Sequence, residues 1–150
     1  MADEDCTICR KHRGEGPLVG SLVYQDDLLF VTHRAVGSLG YVFVETQRHV
    51  TSLDELTDPE AEALGRLTAQ LARGLRSELE IDHVHSMVAG LGVAHFHQHV
   101  FVRHAGTPSS YGWSDPWPGA PEGDISDFAG RLSTYLSWHP PPAAYQSAVG

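Results

Sequence analysis

The chain predicts an α+β domain, a mainly antiparallel sheet with its helices segregated from it. Three observations carry that prediction. Five short runs are rich in β-branched and aromatic residues. One long segment, residues 57–80, repeats leucine at helical spacing. A glycine- and proline-rich stretch then separates the last strand from a final amphipathic segment.

The elements follow in order. "LVGSLVYQ" (Leu18–Gln25) and "LLFVTH" (Leu28–His33) read as a hairpin, with "QDD" supplying the turn. "GYVFVE" (Gly40–Glu45) reads as a third strand. In "SLDEL", Ser52 and Glu55 stand in capping-box spacing and predict a short helical turn. Thr57 and Glu60 form a second such box, and Pro59 suits the first turn of the helix that follows. Leu64, Leu67, Leu71, Leu75 and Leu79 make one apolar stripe there, expected to pack on the sheet rather than on a partner. "HVHSMVA" (His83–Ala89) predicts a fourth strand and Ala94–Arg103 a fifth. Residues 105–124 predict a long loop carrying Tyr111, Trp113 and Trp117, with the two tryptophans expected to lid a pocket or pack at a subunit interface. Ile125, Phe128, Leu132 and Leu136 mark a C-terminal helix, and residues 139–150 a tail. No repeat and no second domain is visible, so 1–150 reads as one domain.

Composition narrows the function. The chain is 150 residues long and 41% hydrophobic, with a formal net charge of −9. That charge argues against a general nucleic-acid scaffold, which carries a basic face. A small phosphorylated ligand needs only local positive charge and stays open. No apolar run approaches a membrane span and no signal-peptide pattern opens the chain, so the expected location is cytoplasmic. In that compartment Cys6 and Cys9 read as metal ligands or a redox pair rather than a disulfide.

The chemistry concentrates in "HFHQHVFVRH", residues 95–104. His95, His97 and His99 alternate with single residues. On a strand they share one face, while Phe96, Gln98, Val100 and Val102 share the other. Scattered histidines on an exposed strand are the plain alternative. A row of imidazoles can bind a metal, or it can attack and clamp a phosphate. Alternating histidines in metal folds need further ligands at set places. Arg103 and Gln98 stand where two such patterns want carboxylates.

These residues resemble the histidine-triad (HIT) superfamily motif, His-φ-His-φ-His-φ-φ with φ apolar. "CTIC" at Cys6–Cys9 is similar to the Cys-x-x-Cys of many bacterial HIT proteins. "GYVFVETQRHVTSLDEL" (Gly40–Leu56) is similar to their strand–histidine segment, with His49 on its final histidine. The likeness covers residues 6–103. It implies a HIT-like fold with a five-stranded, mainly antiparallel sheet, one long helix and a C-terminal helix. It also implies a nucleotide hydrolase or nucleotidyl transferase acting on a nucleoside phosphate derivative, a dinucleoside polyphosphate or nucleoside phosphoramidate. A non-catalytic nucleotide- or zinc-binding protein of the same fold is the alternative.

By the same resemblance, His97 attacks the α-phosphorus and His99 donates a hydrogen bond to a phosphate oxygen. His33 falls where many relatives place an acidic residue that binds ribose. Arg103 and His104 follow the triad and can meet anionic substrate. Gly92 stands where relatives often have a Ser or Thr that protonates the leaving group. Cys6, Cys9, His49 and His95 are implied as ligands of a structural zinc, with His12 a rival ligand and a metal-free or redox dithiol the alternatives. Pairing of sheet edges and long helices implies a homodimer. His83, His85 and His139 are expected to be ordinary structural or surface residues.

Overall fold

A computed structural model describes residues 4–139. Three helices and five strands follow one another as α1 (Thr7–His12), β1 (Leu22–Gln25), β2 (Leu29–His33), β3 (Tyr41–Thr46), α2 (Asp58–Glu78), β4 (Ile81–Met87), β5 (His97–His104) and α3 (Ile125–Trp138). The strands form one antiparallel sheet in the order β1-β2-β3-β5-β4, the α+β architecture expected.

Strand parity divides the sheet into two faces. Leu29, Val31 and His33 of β2, Val42 and Val44 of β3, and Gln98 and Val100 of β5 face α2 and α3. The leucine stripe fills that side. Leu64, Leu67, Leu71 and Leu75 are buried in one cluster with Phe128 and Leu132 of α3. Leucines so buried contribute roughly 1.5–3 kcal/mol each. At Gly74 the two helices touch: a Cβ there would lie 2.7 Å from Leu132 Cδ1. Gln98 is a polar residue of β5 turned inward, and its Nε2 donates to Thr68 Oγ1 of α2 at 2.9 Å. The opposite face carries Phe30, Tyr41, Phe43, Glu45, His97, His99 and Phe101.

Several boundaries differ from those the sequence predicts. Leu18 and Val19 lie outside β1 and are exposed. The backbone at Gly20 passes close to its neighbour, where a Cβ would meet the His33 carbonyl oxygen at 2.7 Å. β4 begins two residues early because a register shift between Ile81 and His83 lets Ile81 pair with His104. Thr57 and Glu60 form the expected capping box. Ser52 makes no cap; the Glu55 carboxylate instead accepts from the backbone N–H and hydroxyl of Thr51, at 3.1 and 2.7 Å. α1 has no counterpart among the predicted elements. The tail expected at 139–150 lies, from residue 140, outside the described residues.

Candidate active site and metal centre

β5 carries the imidazole row, and the neighbouring backbone fixes the state of each ring. His97 places Nδ1 2.8 Å from the carbonyl oxygen of His95. A carbonyl only accepts, so the His97 proton sits on Nδ1 and the Nε2 lone pair is left for chemistry. His99 lies one pleat repeat along, its ring centroid 5.2 Å from that of His97. Its Nδ1 is 2.7 Å from the Tyr41 hydroxyl. Burial pushes the Tyr41 phenol's pKa up while the Arg34 charge opposes it, so the hydroxyl keeps its proton and can donate to Nδ1. The His99 proton then stands on Nε2, ready for an acceptor. Burial, and next to it the His97 charge, lowers the His99 pKa and keeps the ring neutral at neutral pH. A cavity of about 300 Å³ opens beside His97, lined also by Thr51, Ser52 and Gly90.

His95 closes a second constellation. Its Nε2 lies 2.7 Å from the Thr46 carbonyl oxygen, so its proton is there and Nδ1 offers a lone pair. That Nδ1 is 3.5 Å from Cys6 Sγ, 3.4 Å from Cys9 Sγ and 3.2 Å from His49 Nδ1. Cys9 Sγ is 3.4 Å from His49 Nδ1, and the four donor atoms all lie within 4.8 Å of one another. Tetrahedral coordination at Zn–S about 2.3 Å and Zn–N about 2.0–2.1 Å requires edges of about 3.3–3.8 Å. The donor set therefore fits a four-coordinate metal ion. α1 brings in the two sulfurs: Cys6 is its N-cap and accepts from the Cys9 N–H at 3.4 Å. Both thiols are buried, and neither cysteine is in a disulfide. His12, the rival ligand, gives its Nε2 to Glu45 instead, at 3.0 Å.

Glu45 belongs to a group the sequence did not reveal. It pairs across the sheet with His97. Its carboxylate accepts from Lys11 Nζ at 2.9 Å as well as from His12, and all three side chains are largely buried. Lys11 also lies over the Phe43 ring, and His12 stacks on Phe30. α1 thus roofs the histidine face next to His97. Burial pushes the Glu45 pKa up, but the hydrogen bonds and charges of His12 and Lys11 outweigh it and hold the carboxyl below its ordinary range.

The structure does not bring His33 to this site. β2 parity turns it to the helix face, where it is fully buried against Phe128. Its Nδ1 donates to the Arg34 carbonyl at 2.8 Å and its Nε2 accepts from the Gly40 N–H at 2.9 Å. Both nitrogens are satisfied by backbone, and a ribose hydroxyl has no access. Arg103 lies on the histidine face, but its Nη1 and Nη2 donate to the carbonyls of Tyr111 and Pro108 at 3.1 and 2.9 Å, tying down the 105–124 segment. Gly92 has a positive φ of +88° and lies beside Cys6 and His49 rather than beside His97.

Comparison with known proteins agrees with this geometry. No curated protein matches the chain. Among solved structures, a zinc-bound histidine-triad family protein from Mycobacterium smegmatis superposes with a TM-score of 0.69 at 18% identity, covering 90% of this chain and 95% of that one. A HIT-like protein from Bartonella henselae, described as involved in cell-cycle regulation, gives 0.67 at 17% identity, covering 91% and 100%. A HIT-family member from Bacillus subtilis gives 0.62 at 21% identity, covering 93% and 100%. These likenesses establish the fold. The HIT domain family model matches residues 18–106, more than half of the sequence, and the chain belongs to the HIT family.

Proposed function

We propose that this protein is a nucleotide hydrolase working through a covalent nucleotidyl–His97 intermediate. One observation carries the reading: the Nδ1–H of His97 is held by the His95 carbonyl, which leaves the Nε2 lone pair as a nucleophile beside a cavity, with His99 next along the strand. Nε2 attacks the α-phosphorus, a P–N bond forms, and the bridging P–O or P–N bond to the leaving group breaks with its electron pair. Water then attacks the same phosphorus, the bond to Nε2 breaks, and its pair returns to the ring. His99 Nε2–H supports the charge that builds on the phosphoryl oxygens. An acceptor other than water would make the same intermediate a nucleotidyl transfer.

The metal is zinc in this reading, because a buried pair of thiolates and a pair of imidazoles at tetrahedral spacing suit it. Cys6, Cys9, His49 and His95 hold it, and it ties α1 to the segment that presents His97. Thiolate ligands fit a reducing, cytoplasmic setting. None of the helices among the described residues is long and apolar enough to cross a membrane. β4 forms one edge of the sheet, and its pairing with a second copy would give a homodimer.

A non-catalytic nucleotide-binding role is the second reading, favoured by the cavity beside His97, where the Thr51 and Ser52 hydroxyls donate to Glu55 and Asp54 and neither is poised to protonate a leaving group. Turnover of a panel of dinucleoside polyphosphates and nucleoside phosphoramidates by wild type and His97→Ala decides between them. The hydrolase reading expects wild-type turnover and its near-complete loss in the variant, with an unchanged circular-dichroism spectrum. Equal turnover by both proteins would overturn the covalent mechanism, and binding without turnover would favour the second reading.

A further inference from the structure

The proposed hydrolysis makes no use of the histidines of β4. That strand is one edge of the sheet, and its register with β5 sets His83 beside Arg103, His85 beside Phe101 and Met87 beside His99. Strand parity therefore puts His83, His85 and Met87 on one face. Alternate residues of a strand stand about 6.6–6.8 Å apart. The rings of His83 and His85 have centroids only 4.7 Å apart, with planes tilted by 60°, so the two imidazoles lean toward each other.

His85 Nε2 is buried and has no hydrogen-bond partner. A buried polar atom left unpaired is costly, and a ligand that engages it recovers that cost. Burial, then the His83 charge and the Arg103 charge, lowers the His85 pKa, so the ring is neutral at neutral pH and offers a lone pair. Converging imidazoles are donors to a transition metal.

The surroundings select the ion. Met87 is the next residue on this face, and a thioether is a soft, uncharged donor. Trp113 stands against His85 with centroids 5.7 Å apart, and the π electrons of an indole attract a cation. Arg103 is the opposing charge, across the strand pair from His83. Its Nη1 and Nη2 donate to the carbonyls of Tyr111 and Pro108, which turns the guanidinium toward the loop. Its remaining repulsion scales with the charge of the ion and so weighs less on a monovalent cation than on a divalent one. Neutral donors, one of them sulfur, beside a fixed positive charge suit copper in its monovalent state.

We propose that His83, His85 and Met87 form a second metal site, for monovalent copper, that shares no residue with the Cys6/Cys9/His49/His95 cluster. No substrate group enters it, so the inference does not rest on the hydrolase reading.

Anaerobic titration of the purified full chain with cuprous ion, against bicinchoninate as competing chelator, tests the site. The cysteine cluster can also take copper, so the readout is a difference. Wild type should hold one equivalent more than a His83→Ala, His85→Ala double variant. That equivalent should quench tryptophan fluorescence, and Trp113→Phe should lose the quenching while keeping the copper. His83→Ala alone removes the more exposed ring and leaves His85 packed on Phe101 and Trp113; it should lose the same equivalent with an unchanged circular-dichroism spectrum. Met87→Leu should release the ion at a lower bicinchoninate concentration than wild type. Equal copper content in wild type and both histidine variants would overturn the site. A Met87→Leu protein that holds copper as tightly as wild type would overturn the three-donor set.

Discussion

The backbone carbonyl of His95 accepts the Nδ1–H of His97 at 2.8 Å, while the ring of His95 belongs to the Cys6/Cys9/His49 cluster. One residue therefore joins the candidate metal centre to the candidate nucleophile. Its side chain is fixed by the Cys6, Cys9 and His49 side chains and the Thr46 carbonyl, and its main chain fixes the tautomer of His97.

Loss of the metal should consequently impair both stability and catalysis. Purified protein is expected to hold about one zinc per chain, and a Cys6→Ser, Cys9→Ser double variant to hold none. A loss of even about 3 kcal/mol lowers Tm by roughly 6–12 °C at this length. Since the thiols must ionise to bind, mild acid should also release the ion. Elemental analysis and thermal melts check this, and full zinc occupancy in the double variant would rule the site out.

The Lys11–Glu45–His12 group should be a second support for the same face. Glu45→Leu leaves a buried ammonium with no acceptor, and breaking a buried pair in this way costs about 3–5 kcal/mol. A Lys11→Met, Glu45→Leu double variant should recover most of that loss, because both charges are then gone. The folded-state pKa of Glu45 is depressed, so its contribution is present above the ordinary carboxylate value of about 4.3 and fades as pH falls through the lower folded value. Urea unfolding of the three proteins at neutral pH measures the effect. A stable Glu45→Leu protein would mean that the pair contributes nothing.

Much of this fold was legible because strands and the long helix carry different periods. The leucine stripe, the Thr57 capping box and the alternation 95-97-99 each state their own geometry. The six-residue α1 was not legible, since it has no apolar repeat and is organised by the cysteine pair, with Cys6 capping it through the Cys9 N–H. His12 reads from the sequence only as a rival metal ligand, and nothing local announces that Glu45 lies opposite His97; that pairing depends on the β3–β5 register, which residues far apart in sequence decide. The placement of His33 failed on parity. Leu29, Val31 and His33 alternate on one face, and the two apolar members were the available signal that the third points into the core.

His33 should accordingly govern stability and its pH dependence rather than substrate binding. Burial is the main cause of its lowered pKa; the hydrogen bond to the Arg34 carbonyl opposes it and the Arg34 charge adds to it. Below about pH 6.5 the unfolded chain takes up a proton that the folded one refuses, so stability is full above that value and falls as pH drops. His33→Phe removes this titration but leaves the Gly40 N–H without its acceptor, a cost of about 1–3 kcal/mol. Unfolding free energies from pH 5 to 8 should show a shallower slope in the variant, and kcat/KM per folded molecule should be unchanged. A selective rise in KM would restore His33 to the binding site.

Leaving-group preference is the last prediction, and it turns on the want of a general acid beside His97. Expelling an amine from phosphorus requires a proton as the bond breaks, and a positioned general acid contributes typically about 10²–10⁴-fold. Gly92 has no side chain to deliver it and lies beside Cys6 and His49 rather than beside His97. Its φ of +88° also means that a serine there would be strained, although the space around it is open. A phosphate or nucleotide leaves as a stable anion and needs that proton less. Phosphoanhydrides such as dinucleoside polyphosphates should therefore be cleaved with higher kcat/KM than phosphoramidates of weakly acidic amines. Thr51 and Ser52 line the cavity beside His97, but their hydroxyls donate to Glu55 and Asp54, so neither is poised to make up the difference. Measuring both substrate classes on the wild type settles the point. A clear preference for the phosphoramidate would mean that another group supplies the proton, and the Thr51→Val and Ser52→Ala variants would then be the first to examine for its loss.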